Sequence, residues 1–200
     1  MLVKSRGFTL LELLVTIAIA AILVAVALPS FKGTIQRHRL RSAADNLQAA
    51  VDYARAEAVL RASYVSLCAS ADAATCSGTA TYETGWIVYA HPVATTAATD
   101  TYDATASKGM EMLRANQGLN QVSLRASDAA VVTFGQQGQL VPLASRTNAS
   151  QPMAFVVCAV TTGTAALGQN TTAVPGTRIG ISTAGATAGT KLNAGDACTP

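Results

Sequence analysis

Between Leu10 and Leu28 every residue is apolar except Glu12 and Thr16. A run of that length matches the roughly 20 residues an α-helix needs to cross a hydrocarbon core of about 30 Å. A carboxylate inside such a run is expensive unless it finds a partner, so it is read as functional by default. The expected partner of Glu12 is another copy of the same kind of chain. That points to a subunit of a polymer and away from an enzyme. Two plainer readings exist. In one, Ala18, Ala20, Ala21, Ala25 and Ala27 supply the small residues of a secretory cleavage site. In the other, Lys4 and Arg6 orient an uncleaved single-pass anchor. Neither accounts for Glu12 at a short fixed distance after Gly7-Phe8.

The string Gly7-Phe8-Thr9-Leu10-Leu11-Glu12-Leu13-Leu14 resembles the N-terminal signature of type IV prepilins and type II secretion pseudopilins. The resemblance implies that a prepilin peptidase cuts between Gly7 and Phe8 and methylates the new amine of Phe8. Glu12 then becomes the fifth residue of the mature chain, and Pro29 matches a proline common in the family. It also implies an α+β, pilin-like fold, with a long N-terminal helix packed on a β-rich head. The expected divisions are a leader (1–7), a membrane-spanning half-helix (8–30), an amphipathic half-helix (31–62) and a periplasmic head (63–200). The implied partners are other pilin or pseudopilin subunits, the peptidase and an inner-membrane assembly platform. The chain would be single-pass in a bacterial inner membrane and fibre-associated after assembly. Cleavage creates a positive amine at the end of an apolar helix. Glu12 of a neighbouring subunit can neutralise it, and in low dielectric an unpaired member of such a pair is strongly destabilising.

Beyond the apolar run, Pro29 is expected to kink the helix or free a carbonyl. Leu40, Ala44, Leu47, Val51, Ala54 and Ala58 then recur at spacings of four and three, the stripe of an amphipathic helix. Arg37, Arg39, Arg41, Asp45, Asp52, Arg55 and Arg61 lie largely off that stripe and are expected to face solvent or neighbouring subunits. The formal charge is +3, but Lys4 and Arg6 leave with the leader, and six cations crowd this helix. Beyond Ala62 six cations meet seven anions, so the head is near neutral. The basic cluster Arg37–Arg41 reads as a solvated face beside lipid headgroups in preference to a nucleic-acid contact. Nucleic acid is therefore a partner the sequence does not favour.

After Ala62 the texture becomes β-rich. Tyr64–Cys68 alternates like a half-buried strand, and Gly85–Ala90, Val122–Leu124, Val131–Phe134, Ala154–Ala159 and Thr177–Ser182 read as further strands. Gly135-Gln136-Gln137-Gly138 reads as a turn, and Trp86 as a core anchor between sheet and helix. Four cysteines permit three pairings; proximity favours Cys68–Cys76, leaving Cys158–Cys198 to tie down the C-terminus. Each bridge is worth on the order of 2–4 kcal/mol. No metal-ligand spacing, nucleophile elbow or phosphate loop is present, so no cofactor and no enzyme activity is expected. Asp100 and Asp103 read as solvated loop residues without a third functional group beside them.

Tyr53–Ala58, Val65–Cys68, Gly85–Val88, Val132–Gly138 and Arg178–Ser182 extend the resemblance to the H-type minor pseudopilins and related minor pilins. That implies a low-copy subunit that initiates or caps a type IV pilus or a type II secretion pseudopilus. The alternative is an H-type pseudopilin acting in type II protein export. A DNA-binding minor pilin is a third possibility, weakened because only Arg178 and Lys191 lie near the C-terminus.

Overall fold

The computed structural model describes residues 8–93, 100–106, 108–129, 131–142, 152–161 and 167–200. A single helix, α1 (Leu10–Arg61), carries 52 residues through position 29 as one element, about 78 Å at 1.5 Å per residue. It begins at Thr9, whose Oγ1 accepts the Glu12 N–H at 3.2 Å. That satisfies one of the four orphan donors of the first turn. It ends in a Schellman turn, with the Ser63 N–H donating to Ala58 O at 3.2 Å and the Ala62 N–H to Val59 O at 3.3 Å. The left-handed residue in that turn is Ala62, at φ 47°, where glycine would carry no Cβ penalty.

The described strands are β1 (Val65–Ala69), β2 (Gly85–Ala90), β3 (Glu111–Gln117), β4 (Val122–Ala126), β5 (Val132–Phe134), β6 (Met153–Ala159), β7 (Thr177–Ile181) and β8 (Thr187–Lys191). They form two four-stranded sheets, ordered β3-β2-β1-β5 and β4-β6-β7-β8. All pairs are antiparallel. Both sheets lay their inner faces on the second half of α1. Leu40, Ala44, Leu47, Val51, Ala54 and Ala58 are all buried there, and Ala43 and Ala50 widen the stripe. Trp86 is buried in the same cluster, beside the inward residues of both sheets. Tyr82 meets Phe155 edge-to-face at 5.0 Å, carrying that cluster from one sheet to the other.

Three expectations are corrected. β1 is not half-buried: all five of its residues are buried. Its outer face lies under Tyr102, Met110 and Val131, which pack with Cys68, Ile87 and Tyr89. Arg55 is half-buried and not simply turned to solvent or a neighbour. Its Nε donates to Gly138 O at 3.0 Å, because the turn at Gly135–Gly138 folds back onto the helix. Two strands are also additional. β3 and β8 are the outermost strands of their sheets and mostly exposed, so no apolar alternation marks them.

The Gly138 turn also carries the seam between the sheets. Leu140 N–H donates to Thr183 O at 3.0 Å, and Gly185, at φ +79°, presses against Gly138. A Cβ on Gly185 would lie 2.0 Å from Gly138 O. Gly185→Ala is therefore expected to destabilise the head by about 2 kcal/mol or more. Gly189→Ala, with nothing within 4 Å, should stay within about 0.5 kcal/mol. Ala62→Gly should stabilise by up to about 1 kcal/mol by relieving the left-handed cap. Thermal melts of the three variants followed by circular dichroism test the ranking; equal midpoints for the two glycine variants would contradict it.

Candidate assembly interface

Among the described residues, positions 8–25 in the first half of α1 are all exposed. Leu10 is 81% exposed, Leu11 75% and Ile22 66%, whereas Leu47 in the second half is fully buried. The exposed apolar side chains lie all round the helix, so no packing against the head could cover them. Burying one such side chain is worth about 1.5–3 kcal/mol, and a whole segment left in water would not persist. Lipid or other apolar helices must supply the cover. Among the described residues no helix is long and apolar enough to cross a membrane. The side chains of 26–30, part of the expected span, lie outside the described residues.

Glu12 stands in this apolar surface, exposed, with its backbone N–H held by Thr9. Among the described residues no ion pair involves its carboxylate. Thr9-x-x-Glu12 has the spacing of a capping box, and the threonine half is formed. The N-cap therefore fixes where the helix starts, and with it the direction in which Glu12 projects. Phe8 precedes the cap and is 74% exposed. Gly7, on the other side of the expected cleavage point, lies outside the described residues.

Polar side chains flanking the buried stripe fasten α1 to the head. Arg39 donates to the Gln121 side chain. Thr187 on β8 donates to Asp52 at 3.2 Å and accepts from Gln48 at 3.2 Å. Arg61 contacts Glu57 and Glu111, each at 2.7 Å, and Arg114 lies 5.9 Å from the Tyr53 ring centre. These ties place edge strands β3 and β8 against the helix. Sequence reading missed them because their residues are individually ordinary surface charges.

The remaining candidates serve the fold. Cys68 is bonded to Cys76 and Cys158 to Cys198. The first bridge lies on the outer face of the β1-β2 sheet and the second on that of the β6-β7 sheet. Asp100 pairs with Lys108 at 3.4 Å. The Asp103 carboxylate accepts from the Thr105 hydroxyl and N–H, bonds that hold it below its ordinary pKa. Among the described residues no three His, Cys, Asp or Glu side chains gather as a metal site. Ser66 Oγ lies 2.8 Å from His91 Nε2, the spacing of a nucleophile and its base. Both are buried, and Ser66 also bonds Thr133 at 2.7 Å. A nucleophile so enclosed cannot meet a substrate, and the trio is a buried polar tie.

Comparison with known proteins agrees with this architecture. Residues 43–187 match the family model described as type II transport protein GspH. Residues 2–28 match the prokaryotic N-terminal methylation motif. No curated protein sequence matches the chain. A crystal structure of the type IV minor pilin FimU of Pseudomonas aeruginosa is 23% identical. The similarity covers 80% of this chain and 93% of that one, with a TM-score of 0.50. The shared property is the fold: a long helix laid across a β-rich head.

His91 gives the head a pH dependence. Burial depresses its pKa below the ordinary 6.5, partly offset by Asp100. A depressed histidine favours the folded state above pH 6.5, and that contribution fades as pH falls through 6.5 towards the folded value. Stability is expected to drop between pH 7 and 5 in the wild type. His91→Asn should flatten that segment of the curve. Asp72 and Asp103, lowered below 3.8 by hydrogen bonds, act only at more acid pH. Urea midpoints measured across the range separate the two effects, and an unchanged slope in His91→Asn would exclude this origin.

Proposed function

This chain belongs to the GspH family of type II transport proteins, and on that premise we propose that it initiates or caps a pilin-like fibre. It is a minor pilin or pseudopilin subunit, built for membrane-anchored assembly with other subunits, and families of this kind are structural. The observation that carries the proposal is the exposed apolar half of α1 holding the Glu12 carboxylate, which forms no ion pair among the described residues. In the proposed cycle, prepilin peptidase removes residues 1–7 and methylates Phe8. The anchor then stores the subunit in the inner membrane with its head in the periplasm. An assembly platform extracts it, and Glu12 receives the Phe8 amine of an adjoining subunit. Oxidising conditions in that compartment suit the two bridges at Cys68–Cys76 and Cys158–Cys198.

A second, narrower reading is an H-type pseudopilin of a type II secretion system, whose fibre acts in exporting folded proteins. The type II description of the family favours it. Affinity isolation of the intact complex, with mass spectrometry of the co-purifying subunits, separates a pilus from a secretion fibre. A native chain that still begins at Met1, or one that never co-purifies with fibre subunits, overturns the proposal.

Glu12→Gln tests the pairing directly. Insertion and cleavage before Phe8 should be retained. Incorporation beside other subunits should fall by about two to three orders of magnitude, the equilibrium cost of breaking a buried ion pair. Wild-type incorporation of this variant in a co-purification assay refutes the pairing.

A further inference from the structure

We propose that the base of the head is a docking surface for the phosphates of anionic phospholipids, gripped by Arg37 and Arg41 of α1 and Lys191 of β8. The inference rests on reading residues 8–30 as the membrane anchor. The three cations line a cleft of about 260 Å³ whose walls include Thr172 and Thr177, beside the buried Leu40. Two elements far apart in sequence contribute, so the cleft exists only because β8 packs on the helix.

What sets this cleft apart is three cations lining one small space; Arg55 and Arg114, which also form no ion pair among the described residues, are engaged instead by Gly138 O and by the Tyr53 ring. Arg61, Arg125 and Lys108 each meet a carboxylate. Among the described residues neither Arg37, Arg41 nor Lys191 forms an ion pair, and no acidic residue lines the cleft. The sequence holds no Asp or Glu between Glu12 and Asp45. Three cations lining one cleft with no carboxylate in its walls repel one another, a cost an arriving phosphate removes. Arginine suits that ligand because its planar fork meets phosphate oxygens in pairs.

Position selects the source of the phosphate. Arg37 and Arg41 stand about 10 and 17 Å of axial rise beyond residue 30. The polar headgroup band is roughly 5–8 Å deep on each side of a bilayer, and surface potential reaches about a further 8–10 Å. Helix tilt lowers both residues towards the surface. Exposed Phe31 and Ile35 alternate with the exposed cations Lys32 and Arg37 along this stretch, the mixture that settles at a lipid interface. An anionic leaflet would thus hold the base of the head against the membrane while the subunit waits, and extraction would break that contact.

The test uses the full processed chain in nanodiscs of phosphatidylcholine, with and without about one-third phosphatidylglycerol. Native mass spectrometry counts the lipids retained on ejection. Wild type should retain phosphatidylglycerol over phosphatidylcholine by on the order of tenfold, decreasing as salt rises. Arg37→Gln/Arg41→Gln/Lys191→Gln should fall to near parity, while Lys108→Gln/Arg114→Gln behaves as wild type. Equal selectivity in wild type and the triple variant overturns the proposal. So does a triple variant that loses a partner subunit or duplex DNA while its lipid selectivity is intact. Failure of the chain to enter either disc removes the anchor reading and this inference together; insertion without selectivity removes this inference alone.

Discussion

Ala43, Ala44, Ala50, Ala54 and Ala58 set the distance at which both sheets meet α1. Small side chains bring strand side chains close to the helix backbone, so Trp86, Phe134 and Phe155 fill the space that larger helix residues would have taken. A helix serving as the core for two sheets at once leaves each sheet with a bare outer face. Each is closed in the same way. Loops fold over it and a disulfide fixes the cover: Cys68–Cys76 under Tyr102 and Met110, and Cys158–Cys198 beside Val156 and Leu192. With aromatics only 5% of the chain, these outer clusters are small, and the cross-links limit how far an unfolded chain can expand away from them.

The legible parts of the fold are those where burial dictates composition. Gly85–Ala90 is a strand in sequence and in structure with the same bounds, since a fully buried strand must be a short apolar run. The helical stripe from Leu40 to Ala58 was legible for the same reason. β3 was not. Glu-Met-Leu-Arg-Ala-Asn-Gln is composed mostly of good helix formers, and it becomes a strand because β2 offers an edge to pair with. β8, Thr-Ala-Gly-Thr-Lys, has almost no side chain to bury and is fixed by its pairing to β7 and by Thr187 on α1. At the interface, Glu12 was legible because it violates its surroundings. Lys191 was not, because only the tertiary fold sets it beside Arg37 and Arg41.

The same distinction governs the polar contacts. Glu83 and Arg125, 2.5 Å apart and mostly shielded from water, join the connection before β2 to β4. Thr81 and the Leu124 N–H take up further hydrogen bonds of the pair. A shielded ion pair needs such extra partners to offset its desolvation. The Arg61–Glu111 pair is far more exposed and contributes little energy, though it locates β3 against the helix end. The head is thus positioned by geometry-setting polar ties around an alanine-lined stripe.

The two halves of α1 therefore solve different problems with one element. From Leu40 onward the apolar stripe of the helix is covered by its own chain, although Val59 and Leu60 near its end stay exposed. From Leu10 to Ala25 it is covered by nothing among the described residues. Apolar cover alone would leave the axial register of neighbouring helices undefined, because leucine and isoleucine accept many offsets at similar energy. A slip of one turn moves a helix about 5.4 Å. For oppositely charged groups initially near 4 Å in a low dielectric, that displacement removes roughly 40 to 60% of their attraction, depending on the direction of the slip. In the proposed fibre, one carboxylate thus turns a general demand for cover into a specific position. The Thr9 cap holds that carboxylate on the first turn, and an unbroken helix carries the chosen register to the head.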